Sequence, residues 1–200
     1  MESFELPGVP GRFSWHIQPE SWKFDGGSLV VRSGPKNDYF SDPASGAQVA
    51  SAPCALLETS EPSFILGAHV SLKGQTTFDA GVIFIRTSKD SWAKFCLELS
   101  PAGAPTIVSV VTRGVSDDCN SVALASAKAH LRVAKTPRTF AFHFSEDGSH
   151  WHLVRYFSLG EPSSVQIGWV AQSPMGSGSE VTFSQFFHRA GELANLRDGQ

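Results

Sequence analysis

Apolar and polar residues alternate along most of this chain, and this period of two is the feature that most restricts its fold. The segment 92–99 shows the pattern most clearly, because one of its sides carries only apolar residues: Ala93, Phe95, Leu97 and Leu99. Side chains of a β-strand point to its two faces in turn, so the pattern predicts a strand with a buried face. Comparable segments recur roughly every ten to fifteen residues and are separated by turn residues, as in antiparallel sandwiches.

The residue composition supports an all-β fold. The 15 Phe residues suit the pleated surface of a sheet, whereas the 18 Gly and 12 Pro residues favour turns between strands. Only residues 121–129 and 190–197 are candidates for a helix, and both segments are short. The sequence shows no internal repeat, low-complexity tract or linker, which predicts one domain over residues 1–200. We therefore predict an all-β, two-sheet antiparallel sandwich.

The charge balance argues against several classes of partner. The 16 Lys and Arg residues and the 19 Asp and Glu residues give a net charge of -3, whereas binding to nucleic acid requires a basic surface. No apolar run reaches the roughly 18–20 residues that span a membrane. Residues 1–7 lack the basic and then apolar order of a secretory signal. Cys54, Cys96 and Cys119 show no disulfide or zinc spacing. We expect a cytoplasmic protein without nucleic-acid or membrane partners.

Lys94 and Glu98 are the first candidates for a functional site, because a sandwich core has no need of charges. Both lie on the side of their segment opposite Phe95, together with Trp92 and Cys96. A polar stripe on a central strand favours a groove, in which Glu98 would serve as general acid or base and Lys94 would stabilise negative charge. An exposed ion pair worth at most about 1 kcal/mol is the alternative.

Two loops, residues 37–42 and 116–120, combine carboxylates with amide and hydroxyl oxygens, which are the ligands that calcium prefers. The same residues are the ordinary components of tight turns, and neither loop matches the calcium loop of an EF-hand. The sequence also lacks a nucleophile elbow, a phosphate loop and a dinucleotide-binding motif. We expect neither a metal nor a cofactor, with calcium at these loops as the open alternative.

Several motifs, in order along the chain, resemble those of a known family. They are Gly81–Arg86, Trp92–Glu98, Val110–Asp117, and Ser145-x-Asp147-Gly148-x-x-Trp151 followed by Arg155 and by Ser173-Pro174. Over about residues 13–188 the chain resembles the "regulation of enolase" family, which is domain-of-unknown-function family 1349. The resemblance implies a concanavalin A-like jelly roll, a fold whose relatives bind or cleave carbohydrate on a concave sheet.

The resemblance also implies which residues meet a ligand. Lys94, Glu98, Thr112 and Arg155 would line the concave sheet, and Asp38, Phe40 and Asp117 would stand at its rim. Trp92, on the same side of its strand as Lys94, completes the predicted binding set.

The chain departs from the family pattern at two places. It has Asp118 where the family usually places an aromatic residue, and Asn37-Asp38-Tyr39-Phe40 where the family favours Thr-Asp-apolar-Trp. If those aromatics contact the ligand, the pocket of this chain is altered.

Three functions follow as hypotheses. The first is a non-catalytic protein that binds a saccharide or another small polar ligand, with a regulatory role in sugar metabolism. The second is a lyase, isomerase or cyclase that uses Glu98 as its acid or base and Lys94 or Arg155 to stabilise negative charge. The third is a structural or interaction protein. A protein partner and a homo-oligomer remain open.

Overall fold

The protein is built from β-strands. The structure is a computed structural model that describes residues 2–200, and within that range it contains 17 strands and no helix, so none that could cross a membrane. The strands are β1 (Ser3–Leu6), β2 (Val9–Ile17), β3 (Ser21–Asp25), β4 (Ser28–Arg32), β5 (Tyr39–Ser41), β6 (Gln48–Ala50), β7 (Cys54–Thr59), β8 (Phe64–Lys73), β9 (Ala80–Ser88), β10 (Ser91–Leu99), β11 (Pro105–Arg113), β12 (Val115–Ala123), β13 (Lys128–Lys135), β14 (Phe140–Ser145), β15 (His152–Phe157), β16 (Val165–Gln172) and β17 (Glu180–Ala190).

The strands form the predicted two-sheet antiparallel sandwich. One sheet has eight strands in the order β1-β2-β7-β16-β9-β10-β11-β12, and the other has seven in the order β15-β14-β13-β8-β17-β4-β3. A two-stranded hairpin, β5-β6, stands apart from both sheets. Every strand pair is antiparallel, as expected for strands that alternate between a buried and a solvated face.

The two segments considered for helices are not helical. Residues 121–123 complete β12, residues 128–129 begin β13, and residues 191–200 follow β17 in turns and bends. β12 pairs with β11, and β13 is held between β8 and β14. Pairing with neighbouring strands therefore outweighs the weak local helix preference of residues 121–129.

The core between the sheets is filled mainly by aromatic rings. Phe95 of the eight-stranded sheet stacks on Phe142 of the seven-stranded sheet, with ring centroids 4.7 Å apart and planes 7° from parallel. Trp169 and Phe183 meet across the same layer at 5.3 Å. All four side chains are fully buried, so the apolar side of each alternating segment supplies this core.

A second apolar cluster lies on the outer face of the eight-stranded sheet. Its members come from the sheet and from the segment that crosses it: Tyr39, Ala52, Cys54, Leu56, Ala80, Val82, Phe84, Trp92, Cys96, Val108, Val110 and Val170. The central strand β10 is consequently buried on both faces from Trp92 to Glu98. This second burial is what encloses Lys94 and Glu98.

The stacked pair Phe95–Phe142 allows a direct test of the sandwich core. We expect Phe142→Ala to lower the free energy of unfolding by about 3–5 kcal/mol, because it removes a ring that fills the space between the sheets. Phe24→Ala is the matched control, since Phe24 lies in the same sheet but is 43% exposed; it should change stability by less than about 0.5 kcal/mol. Chemical denaturation measures both values, and equal losses would contradict this core.

Candidate functional site

Residues 37–52, here named the covering segment, lie across the outer face of the eight-stranded sheet and include the β5-β6 hairpin. The ring of Tyr39 packs on Phe84 at 4.7 Å and meets the edge of Trp92 at 6.1 Å. The backbone N–H of Ser41 donates a hydrogen bond to Ser116 Oγ at 2.9 Å. Apolar burial and this hydrogen bond together hold the segment against β9, β10 and β12.

A cavity of about 120 Å³ remains between the covering segment and the sheet. We name it the concave-face cavity; its lining residues are Asp38, Phe40, Phe78, Lys94, Glu98, Val110, Asp118 and Gln172. Strand register explains the grouping, because Val110 of β11 lies between Lys94 of β10 and Asp118 of β12. Residues paired in this way share a face of the sheet.

Lys94 forms the most strongly buried polar contact of the cavity. Its side chain is only 3% exposed, and its Nζ lies 2.9 Å from Asp38 Oδ1 and 3.1 Å from Gln172 Oε1. The ammonium also lies 5.9 Å from the ring centroid of Phe40. Burial is the largest influence and disfavours the charged amine, but Asp38, with smaller contributions from Cys96 and Glu98, more than offsets it, so the pKa of Lys94 lies above its ordinary value. Lys94 is therefore buried, and its partner is the half-buried Asp38, not Glu98.

Glu98 has a different environment on the same strand. It is 8% exposed and lines the cavity, yet its carboxyl forms no hydrogen bond or salt bridge with any residue of 2–200. Burial raises the pKa of Glu98 to about 8; the ammonium of Lys94 opposes this, and Asp118 and Asp38 add to it. At neutral pH the carboxyl is thus mostly protonated and can donate a hydrogen bond into the cavity.

Asp118 extends from β12 at the outer end of the cavity. The residue is exposed, and its carboxylate forms no salt bridge within the described part of the chain. Loss of water on its cavity side raises the pKa of Asp118, although Lys94 acts in the opposite direction. Asp118, at which the family resemblance implies an aromatic residue, therefore adds a carboxyl to the cavity.

Trp92 and Thr112 lie on the cavity face of the sheet but beneath the covering segment. Trp92 is buried against Tyr39. Thr112 Oγ1 lies 2.9 Å from Ser116 Oγ, the atom that accepts the hydrogen bond from Ser41. In this structure the two residues support the covering segment and do not line the cavity.

Asp117 and Arg155, both predicted to meet the ligand, lie outside the concave-face cavity. Arg155 Nη2 lies 3.0 Å from Asp117 Oδ1, and Arg155 Nη1 also donates to the Ser109 carbonyl oxygen at 3.4 Å. Because Asp117 and Asp118 are consecutive residues of one strand, their side chains point to opposite faces. The ion pair therefore joins β15 to the edge of the eight-stranded sheet, and neither side chain lines the cavity.

Four lining residues are not in the predicted binding set: Phe78, Val110, Asp118 and Gln172. Gln172 follows Val170 by two positions on β16, so the alternation could have placed it on the cavity face. No comparable signal exists for Phe78, which precedes β9 in a loop and has φ of 71°. This backbone region is unusual for a bulky residue, and it is held by the hydrogen bond from Phe78 N–H to the Leu99 carbonyl oxygen at 2.7 Å.

The two acidic segments considered for calcium differ in the structure: residues 116–120, predicted as a loop, lie within β12, and the oxygens of Asp42 in the first segment are engaged within the protein. The Asp42 carboxylate accepts hydrogen bonds from the Ala44 N–H and the Ser45 hydroxyl, which is the geometry of a tight turn. The residues of 2–200 include no group of three or more His, Cys, Asp or Glu side chains arranged to hold a metal ion.

The raised pKa of Glu98 predicts a pH-dependent stability. The folded carboxyl keeps its proton up to about pH 8, whereas the unfolded one loses it near 4.5. Relative to Glu98→Gln, wild-type stability should therefore fall as pH rises through this interval, by about 1.4 kcal/mol per pH unit, and level off above pH 8. Denaturation at several pH values measures the difference. Glu146→Gln, at an exposed turn, is the control and should show no such divergence; parallel curves for wild type and Glu98→Gln would contradict the assignment.

Comparisons with known proteins agree with this fold. The chain is 26% identical over 174 residues to "Regulation of enolase protein 1" of Saccharomyces cerevisiae, a match that covers 86% of this chain and 87% of that protein. It superimposes with a TM-score of 0.83 on the crystal structure of a functionally unknown protein from the same yeast, at 24% identity, covering 90% of this chain and 97% of the other.

More distant structures share the sandwich. The GH43 BlXynB protein from Bacillus licheniformis gives a TM-score of 0.69 at 15% identity, over 87% of this chain and 36% of that one. The metal-free form of lectin I-B4 from Griffonia simplicifolia gives 0.55 at 14% identity, over 88% and 91%. These likenesses confirm the predicted jelly-roll fold. A family model described as "Protein of unknown function (DUF1349)" matches residues 15–190, and the chain belongs to that family.

Proposed function

We propose that this protein binds a small polar ligand of the saccharide class in the concave-face cavity, without converting it. The observation that carries the proposal is a buried, unpaired carboxyl, Glu98, beside a buried ammonium, Lys94, in a cavity with aromatic walls. Folding alone does not explain the position of Glu98, since burial of a carboxyl without a hydrogen-bond partner is costly. A ligand with hydroxyl groups supplies the missing hydrogen-bond partners.

The walls of the cavity suit the two kinds of surface that a sugar presents. Phe40 and Phe78 contribute rings, and Phe78 is partly exposed at the mouth. Aromatic rings pack on the C–H faces of a sugar, while a few polar groups fix its hydroxyls. Glu98 is free to donate or accept in this way. The volume, about 120 Å³, equals the share of about four water molecules, so the cavity receives one end of a ring.

A regulatory role agrees with the relative named "Regulation of enolase protein 1". We propose that this role requires ligand binding without turnover. The ligand-bound protein would then act on a protein partner. A protein that senses a metabolite of sugar metabolism in this way would act in the cytoplasm, which is the location that we propose. The lectin and the GH43 protein share the sandwich, although a shared fold does not by itself transfer a function.

Acid–base catalysis is the second candidate, and the state of Glu98 favours it. A protonated carboxyl with a pKa of about 8 can donate a proton near neutral pH and take one back. Lys94 would stabilise negative charge on a substrate oxygen. Arg155 is not available for this role, because it pairs with Asp117 away from the cavity. A lyase, isomerase or cyclase would fit these groups.

Thermal denaturation with a panel of sugars, phosphorylated sugars and aromatic metabolites tests the proposal. A monosaccharide at ten times its dissociation constant should add about 1.4 kcal/mol of stability, which raises Tm by about 3–6 °C in a domain of this size. Glu98→Leu should reduce the shift, because Leu can neither donate nor accept a hydrogen bond, and the exposed Glu146→Leu control should retain it.

Three outcomes separate the candidates. A rise in Tm without chemical conversion of the ligand supports the non-catalytic binding protein. Consumption of the ligand by wild type but not by Glu98→Gln overturns the non-catalytic proposal in favour of the second candidate. If no sugar shifts Tm at millimolar concentration, the saccharide class is wrong.

A further inference from the structure

We infer that the ligand of the concave-face cavity carries a positively charged nitrogen, as an amino sugar or a small organic amine does, and that Glu98 and Asp118 hold this charge. The inference rests on the proposed function and specifies the chemical class of its ligand. It follows from the balance of charges around the cavity, from the burial of Glu98 and from the two phenylalanine rings.

The cavity contains more acids than bases. Asp38, Glu98 and Asp118 contribute carboxyls, and Lys94 is the one basic residue among the lining residues. The ammonium of Lys94 is already neutralised by Asp38 at 2.9 Å and fixed by Gln172 at 3.1 Å. Glu98 and Asp118 are consequently left without a cation.

Neighbouring elements form no salt bridge with Glu98 or Asp118 within the described residues. The guanidinium of Arg155 pairs with Asp117 on the other face of β12; it acts to lower the pKa of Asp118 but does not contact that carboxylate. The residues that flank Glu98 in the sheet, Ala80 on β9 and Thr106 on β11, carry no charge. The titratable groups that act on Glu98 are Lys94, Asp118 and Asp38, and the Cys96 thiol, two residues earlier on the same strand, is neutral because burial raises its pKa.

The burial of Glu98 distinguishes this site from an ordinary surface cluster of acidic residues. Its side chain faces the cavity from a residue that is more than nine-tenths buried, and no described residue donates to it. A buried carboxylate is stable only with a partner for its charge. Without a ligand, Glu98 avoids a buried charge by keeping its proton. A cationic ligand would instead pair with the ionised carboxylate, and the proton would be released.

The aromatic walls favour the same class of ligand. Phe40 and Phe78 border the space in front of the two carboxyls, and the negative face of an aromatic ring attracts a cation within about 6 Å. Lys94 already shows this contact, with Nζ at 5.9 Å from the Phe40 centroid. Rings and carboxyls together form the usual recognition surface for organic ammonium groups.

The probes for this inference are choline and its neutral analogue, dimethylbutanol. In dimethylbutanol a quaternary carbon replaces the quaternary nitrogen of choline. The two have nearly the same shape, and the charge of choline does not change with pH. Isothermal titration calorimetry on the full chain should show choline binding at least about tenfold tighter, which corresponds to about 1.4 kcal/mol. Because choline binds the ionised form of Glu98, its affinity should rise about tenfold per pH unit below pH 8 and level off above it.

Proton release gives an independent readout. At pH 7 the free Glu98 holds most of a proton, so choline binding should release nearly one proton, measured from heats in buffers of different ionisation enthalpy. Glu98→Gln should abolish both the release and the pH dependence, and the exposed Glu146→Gln should keep them. Asp118→Asn, at the solvent-exposed end of the cavity, should weaken choline binding severalfold with dimethylbutanol unaffected.

The outcomes distinguish this inference from the proposed function. Equal affinity for choline and dimethylbutanol, or binding without proton release, overturns the cationic ligand; a neutral sugar that binds in the same preparation leaves the proposed function standing. Preference for choline with no response to any sugar supports the cationic ligand and overturns the saccharide class. If no probe and no sugar binds, both are overturned.

Discussion

The contact between Lys94 and Asp38 is the constraint on which the rest of the site depends. Lys94 lies on the central strand of a sheet whose outer face is covered, and a buried ammonium requires a carboxylate close by. The only acid of the covering segment that reaches it is Asp38, at 2.9 Å. The segment must therefore cross the sheet at this point, and the apolar contacts of Tyr39 with Phe84 and Trp92 reinforce that position. The concave-face cavity is the space that remains beside this contact.

The same contact decides the chemistry of the cavity. Since Asp38 pairs with Lys94, Glu98 on β10 has no cation in contact with it, and burial keeps its carboxyl protonated near neutral pH. The two acids that line the cavity beside Lys94 therefore have different roles: Asp38 accepts a hydrogen bond from the ammonium, whereas Glu98 can donate one into the cavity. A ligand that enters the cavity meets a fixed charge pair, a proton that can be displaced, and two aromatic rings.

The sequence alone predicts the sandwich and places Lys94 and Glu98 on the same face of β10. Alternation along residues 92–99 put Lys94 and Glu98 on one face, and the family motifs indicated that this face binds a ligand; the structure brings Lys94, Glu98, Asp38 and Phe40 together. Which of Asp117 and Asp118 points to the cavity depends on the register between β11 and β12, and a period of two does not determine register. The same holds for Arg155, whose partner lies on a strand of the other sheet. Phe78 reaches the cavity through a left-handed backbone conformation that no residue pattern signals.

The protonation state of Glu98 in the folded protein can be measured by titrating its carboxyl. The carbon-13 resonance of its side-chain carboxyl, assigned by its loss in Glu98→Gln, reports the protonation of this one group in the folded protein. We expect a midpoint near pH 8, because the carboxyl is buried and Lys94 is paired with Asp38. A midpoint near the ordinary 4.5 would show that Glu98 is solvated or paired, and would contradict the cavity described for this protein.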